Sequence, residues 1–300
     1  MRHLPVRVRA AVAVTAVTAA VAVAVAVAAG CSTPAAAPRP ERELTPTERL
    51  RISDANEVLV KQCMNRAGFS YWTGPRPSLE ESRASGYVSD DVEWARKHGY
   101  GSRIAAAADR YRRTNPNGAY REGLSAERRK AYDETLDGGG RARILTAKVP
   151  GGSASVRKRL GGCSEEAERE LYGDPGTWFR ADKAVTNLQP LYVPEILRDE
   201  RFTTALAGWA ACMKRSGFAH PDPAAARDAA ARSGDFTSET RTAVAEARCA
   251  RETSLATVAR ERQTHYLNAL RDEYGEELDA HRRLQHRAYE RAAGITGARV

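Results

Sequence analysis

Histidine is scarce in this chain: six in 300 residues, of which His98, His220, His265, His281 and His286 lie beyond the first thirty positions. No H-E-x-x-H occurs, and His281 and His286 stand five apart, off one helix face, so the usual helical zinc motif is missing. Glu261 and His265 are four apart, but a charged helix surface produces such pairs without any metal. There is no G-x-S-x-G, which removes the strand-to-helix nucleophile elbow. There is no C-x-x-C, which removes the thiol exchange motif and the zinc ribbon. Regular alternation of strand and helix patterns is also lacking, which argues against a two-lobed solute binder. Neither a catalytic residue nor a cofactor is implied, and the expected chain is not an enzyme.

The charge-free apolar residues are concentrated at one end. Met1 to Arg9 carries Arg2, Arg7 and Arg9 and no acid, and Ala, Val and Thr then run to Ala28-Ala29-Gly30-Cys31. A positive start, an apolar run and small residues at the cut are the parts of a secretory signal, here residues 1–30. An uncleaved span is the competing reading, because about 20 apolar residues cross a bilayer. Ser32 to Glu43 holds Pro34, Pro38 and Pro40 among Ala, Thr and charges, so residues 31–44 read as an extended tether rather than a fold. Removal of the three arginines in residues 1–30 takes the formal charge from +9 to +6. A moderately basic exported body favours anionic headgroups, anionic envelope polymers or an acidic protein partner by long-range attraction. Nucleic acid is a poor partner for that compartment.

Setting Cys31 aside leaves Cys63, Cys163, Cys212 and Cys249, an even number that points to two disulfides in an exported chain. Four cysteines allow three connectivities, and spacing alone does not choose. An internal repeat favours one of them. Cys63-Met64-Asn65-Arg66-Ala67-Gly68-Phe69 matches Cys212-Met213-Lys214-Arg215-Ser216-Gly217-Phe218. Upstream, Ile52, Ala55 and Leu59 precede Cys63 on one helix face, as Phe202, Ala205 and Trp209 precede Cys212. Gly68 and Gly217 then fit left-handed helix stops, with Phe69 and Phe218 folding back on Met64 and Met213. Each such helix is followed by one further cysteine, so the expected pairs are Cys63–Cys163 and Cys212–Cys249.

The expected fold is mainly α: disulfide-linked helical subdomains at 45–190 and 191–300, a small β-hairpin near 141–160, and a long C-terminal helix or helix pair. Thr45 and Glu48 around Pro46 read as a capping box for the first helix. Ser70 to Val88 reads as an excursion, Asn115-Pro116-Asn117-Gly118 as a turn, and Ser102 and Ser125 as helix caps. In the hairpin, Ile144, Leu145 and Val149 are expected opposite Val156 and Leu160. One helix is expected from about Glu195 to Ser216, and one or two from Ser238 to about Ala293, where no proline and only Gly275 occur.

Candidate contacts are few. Trp178 and Trp209 sit on apolar helix faces and belong in a core, whereas Trp72 lies in the Gly/Pro loop Tyr71-Trp72-Thr73-Gly74-Pro75 and is the candidate contact for a ligand or partner. Asp90, Asp91 and Glu93 have the composition of a wall hydrolase's acids, but acid-rich helix starts explain them more simply. Gly99-Tyr100-Gly101-Ser102 has the make-up of an anion-binding helix start.

Several segments together resemble the uncharacterised exported lipoproteins of high-GC actinobacteria: the Ala-Gly-Cys31 cleavage site, similar to a bacterial lipobox, His98-Gly99-Tyr100-Gly101, Asn117-Gly118-Ala119-Tyr120, Gly161-Gly162-Cys163, Leu171-Tyr172-Gly173 and the two C-M-x-x-x-G-F copies. The favoured Leu three places before the cysteine is Ala28 here. The resemblance implies diacylglyceryl and palmitate-class acylation of Cys31 and attachment to the extracytoplasmic face of the cell membrane, but it carries no activity; with no catalytic constellation in the chain, a non-enzymatic role in binding or interaction within the envelope is expected. A wall hydrolase and an accessory ligand-binding lipoprotein of a transporter are the alternative classes. Cys31→Ala should abolish lipid labelling and free the chain from membranes on fractionation of expressing cells; unchanged labelling would sink the anchor.

Overall fold

A computed structural model describes residues 42–82 and 86–297. The signal residues, Cys31 and the tether up to Glu41 lie outside the described residues. The described residues form one compact unit. Its elements are α1 (Pro46–Arg66), α2 (Val92–His98), α3 (Ser102–Arg113), α4 (Pro116–Glu122), α5 (Ala126–Asp137), β1 (Arg143–Lys148), β2 (Ser155–Leu160), α6 (Gly162–Tyr172), α7 (Pro175–Thr186), α8 (Gln189–Arg198), α9 (Glu200–Arg215), α10 (Pro223–Ser233), α11 (Phe236–Glu252), α12 (Leu255–Ala269) and α13 (Arg271–Thr296). The mainly helical fold, the hairpin and the long last helix are as the sequence predicts.

Both disulfides join the cysteines within each repeat, Cys63 to Cys163 and Cys212 to Cys249. Both repeat helices end in the same way. The Phe69 N–H donates to the Met64 carbonyl at 3.0 Å and Gly68 N–H to Asn65 at 3.0 Å, with Gly68 at φ +79°. The Phe218 N–H donates to Met213 at 2.9 Å and Gly217 N–H to Lys214 at 3.1 Å, with Gly217 at φ +87°. These are the paired bonds of a Schellman ending, and each phenylalanine packs into the core that holds its methionine. The repeat is also wider than its sequence signature. Arg66 pairs with Glu166, three residues after Cys163, and Arg215 pairs with Glu252, three residues after Cys249. Each copy is therefore a helix pair joined by one covalent and one ionic bridge, C-M-x-R on one helix and C-x-x-E on the other.

Several local expectations are corrected. Asn115-Pro116 starts α4 rather than making a turn: the Asn115 side chain accepts from Asn117 N–H at 2.9 Å and Pro116 takes the first helical position, where its missing N–H costs nothing. Ser102 is the first residue of α3, not its cap, and a residue of another helix caps it instead, as described below. The single helix expected over Glu195–Ser216 is broken at Asp199. That carboxylate caps α9 through the N–H groups of Arg201 (2.9 Å) and Phe202 (3.3 Å), and it also takes Arg262 (2.9 Å) and the Tyr266 hydroxyl (3.0 Å) from α12. The stretch from Ser238 holds parts of three helices, not one or two, with breaks at Ser254 (φ 58°) and Leu270 and a kink at Tyr274. In the hairpin, Val156 lies opposite Ala147 and Leu160 opposite Arg143. Period-2 alternation puts Leu145 and Ala147 on the inner face, so Ile144 points outward and is 48% exposed.

The packing exchanges elements between the two halves of the sequence. One core gathers Met64, Phe69, Tyr132 and Cys163 from α1, the loop after it, α5 and α6. It continues into Leu44, Ile52, Leu171, Ala288 and Ala292, where α13 returns from the far end of the chain to lie on α1 and α6. The second core is built by α8, α9, α11 and α12 around Phe202, Trp209, Met213 and Leu255. In turn α2 leaves the first half to set Val92 and Ala95 on Ala243 and Ala247 of α11.

A Cβ at Gly68 or Gly217 would meet nothing within 4 Å, so any loss on substitution comes from the backbone alone. Gly68→Ala and Gly217→Ala should each cost about 1–2 kcal/mol, the penalty of a left-handed alanine, seen as a lower urea midpoint at unchanged slope.

Candidate functional site

Two groupings of polar and aromatic side chains stand out: an exposed indole with its support, and a buried carboxylate pair. Trp72 follows the helix stop at Phe69 and is 42% exposed. Its backbone is held at both polar atoms by Asn117 of α4: Trp72 N–H donates to Oδ1 at 2.8 Å, and Nδ2 donates to the Trp72 carbonyl at 2.7 Å. The indole meets Tyr120 edge-on (centroids 5.6 Å), Tyr120 meets Tyr132 (6.0 Å), and Tyr132 meets Phe69 (5.4 Å). The Arg128 guanidinium lies over the Phe69 ring at 4.5 Å. Further along the loop, Gly74 packs beside Tyr111, and Arg76 pairs with Asp54 of α1 at 2.8 Å. Burial pushes the Tyr71 hydroxyl up to about 12, so it is a neutral donor at ordinary pH. The part of the Gly/Pro excursion from Tyr71 to Arg76 is thus held against α1 and α4, and it presents Trp72 outward on a ladder of rings; Tyr87, later in the same excursion, is exposed to a similar degree.

The second grouping explains the Gly99-Tyr100-Gly101-Ser102 signal. These backbone groups do bind an anion, and it is the chain's own Glu239 from α11. Its Oε1 accepts from the N–H groups of Tyr100 (2.7 Å) and Ser102 (3.2 Å), and Oε2 takes the Ser102 hydroxyl. Glu239 thereby caps α3 from a distance, at the positive end of that helix. Two turns further along the same face of α11, Glu246 is 1% exposed and accepts from the Tyr100 hydroxyl at 2.7 Å and from Arg227 at 3.2 Å. Burial raises its pKa above the ordinary 4.5, against the opposing pull of Arg227 and Tyr100. The Tyr100 hydroxyl is raised as well, by burial first and then by Glu246. A buried acid, a phenol and a guanidinium are the ingredients of acid–base chemistry, but these face one another in the interior. Their evident work is to fasten residues 86–102 to α10 and α11: Arg227 also donates to the Gly86 carbonyl at 2.9 Å.

The remaining sequence-weighed residues have structural partners. Asp91 caps α2 through Trp94 N–H at 2.9 Å, Asp90 pairs with Arg260 at 3.0 Å, and Glu93 pairs with Arg96. Glu261 pairs with Arg201 at 2.8 Å while His265 lies edge-on to Tyr266, so the two do not converge on a shared point. Trp209 is fully buried and donates to the Glu246 carbonyl at 3.3 Å. Trp178 is half-buried rather than in a core, stacked between Tyr172 (4.0 Å, 5°) and His281 (5.2 Å, 15°), and His281 Nε2 lies 3.7 Å from Asp182. The sequence carries no sign of that stack, whose members come from three helices. The sequence does contain a Ser-x-x-Lys spacing, Ser155 to Lys158, where none was expected. On β2 an odd separation sends the two to opposite faces, and Lys158 pairs with Glu168 of α6.

Compared with family models, with curated proteins and with solved structures, the chain has no match.

Glu239→Ala removes the acceptor for two N–H groups and should cost about 1–3 kcal/mol, with faster amide exchange at Tyr100 and Ser102. The Glu246 effect has the opposite sense to that of a paired surface acid. Its raised folded pKa means the native state holds the proton more tightly, so stability is lost as the pH rises above 4.5 and through the folded value. Glu246→Gln should flatten that decline in a urea titration from acidic to neutral pH; an unchanged slope would refute it.

Proposed function

We propose that the chain is an exported lipoprotein, cut before Cys31, held by lipid on that cysteine at the extracytoplasmic face of the cell membrane, and acting there by binding rather than by catalysis. The signal-like residues 1–30, the Pro-rich tether and the likeness to the actinobacterial lipoproteins support the address. Two disulfides fit an oxidising compartment. Among the described residues no helix is long and apolar enough to cross a membrane.

The observation that carries the binding reading is the exposed indole of Trp72, clamped through its backbone by Asn117 and backed by Tyr120. Large aromatics held rigidly at a surface lose little entropy on contact and are enriched among the residues that dominate interfaces. The partner class is an envelope polymer or an envelope protein; nucleic acid has no place in that compartment.

Trp72→Ala deletes the exposed ring and leaves the Asn117 bonds to its backbone. Its fold, by circular dichroism and urea midpoint, should stay close to that of the parent. Its retention on isolated cell envelopes should fall by about 30-fold in a cosedimentation assay, the loss typical of a hot spot. Equal retention of the two proteins would remove Trp72 from the contact.

A further inference from the structure

The last helix is divided by charge. Its first part, from Arg271 to Asp279, holds five acids and one arginine, whereas from Ala280 onward Arg282, Arg283, Arg287 and Arg291 face a single acid, Glu290. Arg283, Arg287 and Arg291 are each four residues apart and all exposed, so they form one stripe along the outer side of α13. Arg283 makes no ion pair among the described residues. Arg287 donates to the Tyr172 carbonyl at 3.4 Å, and Arg291 to the carbonyls of Glu170 (2.5 Å) and Arg169 (3.3 Å), at the C-terminal end of α6. Carbonyls fix the guanidinium groups without neutralising them. The stripe is therefore both held and positively charged. Arg180 of α7 extends it, lining with Arg283 an open depression of about 790 Å³ whose other charged residues include Glu276 and Asp279.

The position of the stripe matters more than its charge. The described residues begin at Arg42, where His286 Nε2 lies 2.7 Å from the Arg42 carbonyl and Glu48 binds the Arg42 side chain. His286 belongs to the same stretch of α13, between Arg283 and Arg287. The tether thus enters the body beside the arginine stripe. Eleven residues separate Arg42 from Cys31, and at full extension they reach no more than about 40 Å. A flexible chain of that length has a root-mean-square span of about 20 Å. A lipid on Cys31 would keep this side of the body at the headgroups.

We infer that the Arg283–Arg287–Arg291 stripe of α13 is a docking surface for anionic phospholipid headgroups, an inference that rests on the lipid-anchor reading of Cys31. The phosphodiester of a headgroup is a multidentate acceptor, which suits guanidinium donors. The acids at the other end of α13 set the sense of the approach, since an anionic surface repels them while it attracts the stripe. The docked body would hold one orientation on its tether, and the tether supplies the high local concentration that makes a few weak contacts sufficient.

The test uses the mature lipidated protein on vesicles of phosphatidylcholine, with and without phosphatidylglycerol. Accessibility of individual arginines is read by phenylglyoxal modification and mass spectrometry. The protein should float with both vesicles. On the anionic ones, Arg283, Arg287 and Arg291 should react at least about five-fold more slowly, the factor that corresponds to one basic residue at an anionic surface. Exposed Arg232 and Arg241, on the helices α10 and α11, should react equally on both. The protection should vanish at about 0.5 M salt. Arg283→Gln, which leaves the α6 carbonyl contacts in place, should reduce the protection of the other two. Flotation with both vesicles and equal labelling would overturn the docking alone; failure to float with either would overturn the anchor and the docking together. Protection by soluble poly(glycerol phosphate) on neutral vesicles, without protection by anionic ones, would overturn the assignment to lipid.

Discussion

The constraint on which the rest of the structure depends is the pair of covalent clamps, Cys63–Cys163 and Cys212–Cys249. They close loops with sequence separations of 100 and 37 residues, worth about 5 and about 4 kcal/mol in the chain-entropy account. The first loop contains α2 to α5 and the hairpin, which bring little core of their own: α3 and α4 have no buried residue. Such elements order because both ends of their loop are already fixed. The Arg66–Glu166 and Arg215–Glu252 pairs are exposed and contribute little beside the disulfides. Their value is in repeating the same register twice, which marks the two clamped helix pairs as copies of one structural unit.

A second reason the clamps matter is the size of the core residues. Ala55, Ala226, Ala247, Ala250, Ala288 and Ala292 are fully buried. Alanine lets helices approach closely and costs no side-chain entropy, yet each buries little apolar area, at roughly 25 cal/mol per Å². Large side chains such as Trp209, Phe202 and Tyr132 are few and stand at the centres of the two cores. Polar clasps take over where apolar area is short. Glu239 on α3, Glu246 on Tyr100 and Arg227, and Asp199 on Arg262 and Tyr266 each tie a loop or helix start to a helix distant in sequence. The reciprocal exchange, α2 to the second core and α13 back to the first, then makes the halves mutually dependent.

The sequence was legible where the signal is local or repeated. Helix stops, the Thr45–Glu48 box and the hairpin follow from local signals, and the cysteine pairing from the internal repeat, because a glycine after a helix or two copies of one motif constrain the chain within a few residues. It was illegible where a long-range partner decides. Nothing near Ser102 announces that Glu239 caps its helix, and the same residues read as an open anion site. Asp199 looks like an ordinary helical acid until Arg262 and Tyr266 give it reason to break the helix. Ser254 enters the left-handed region with no glycine or proline to mark it, next to the fully buried Leu255. The kink at Tyr274 goes with a contact to the hairpin turn: its hydroxyl accepts from Gly151 N–H at 3.3 Å, and Gly151 has no room for a side chain beside Leu191.

These long-range partners also bear on the candidate site. Several acids serve as caps and clasps: Asp91, weighed above for chemistry, on α2, and with it Asp199 on α9, Glu239 on α3 and Glu48 on α1. Glu48 is held down to about 2, chiefly by Arg42 and then by the Thr45 N–H, so it stays ionised wherever the fold is intact. That ion pair has a consequence for the anchored protein. Arg42 is fastened by Glu48 and its carbonyl lies against His286, so the first described residue is fixed both to the start of α1 and to α13. Under the proposed anchoring, that fixed start beside a charged helix face would turn a lipid on Cys31 from a mere leash into a constraint on orientation, and any partner meeting Trp72 would meet it at a defined aspect relative to the membrane.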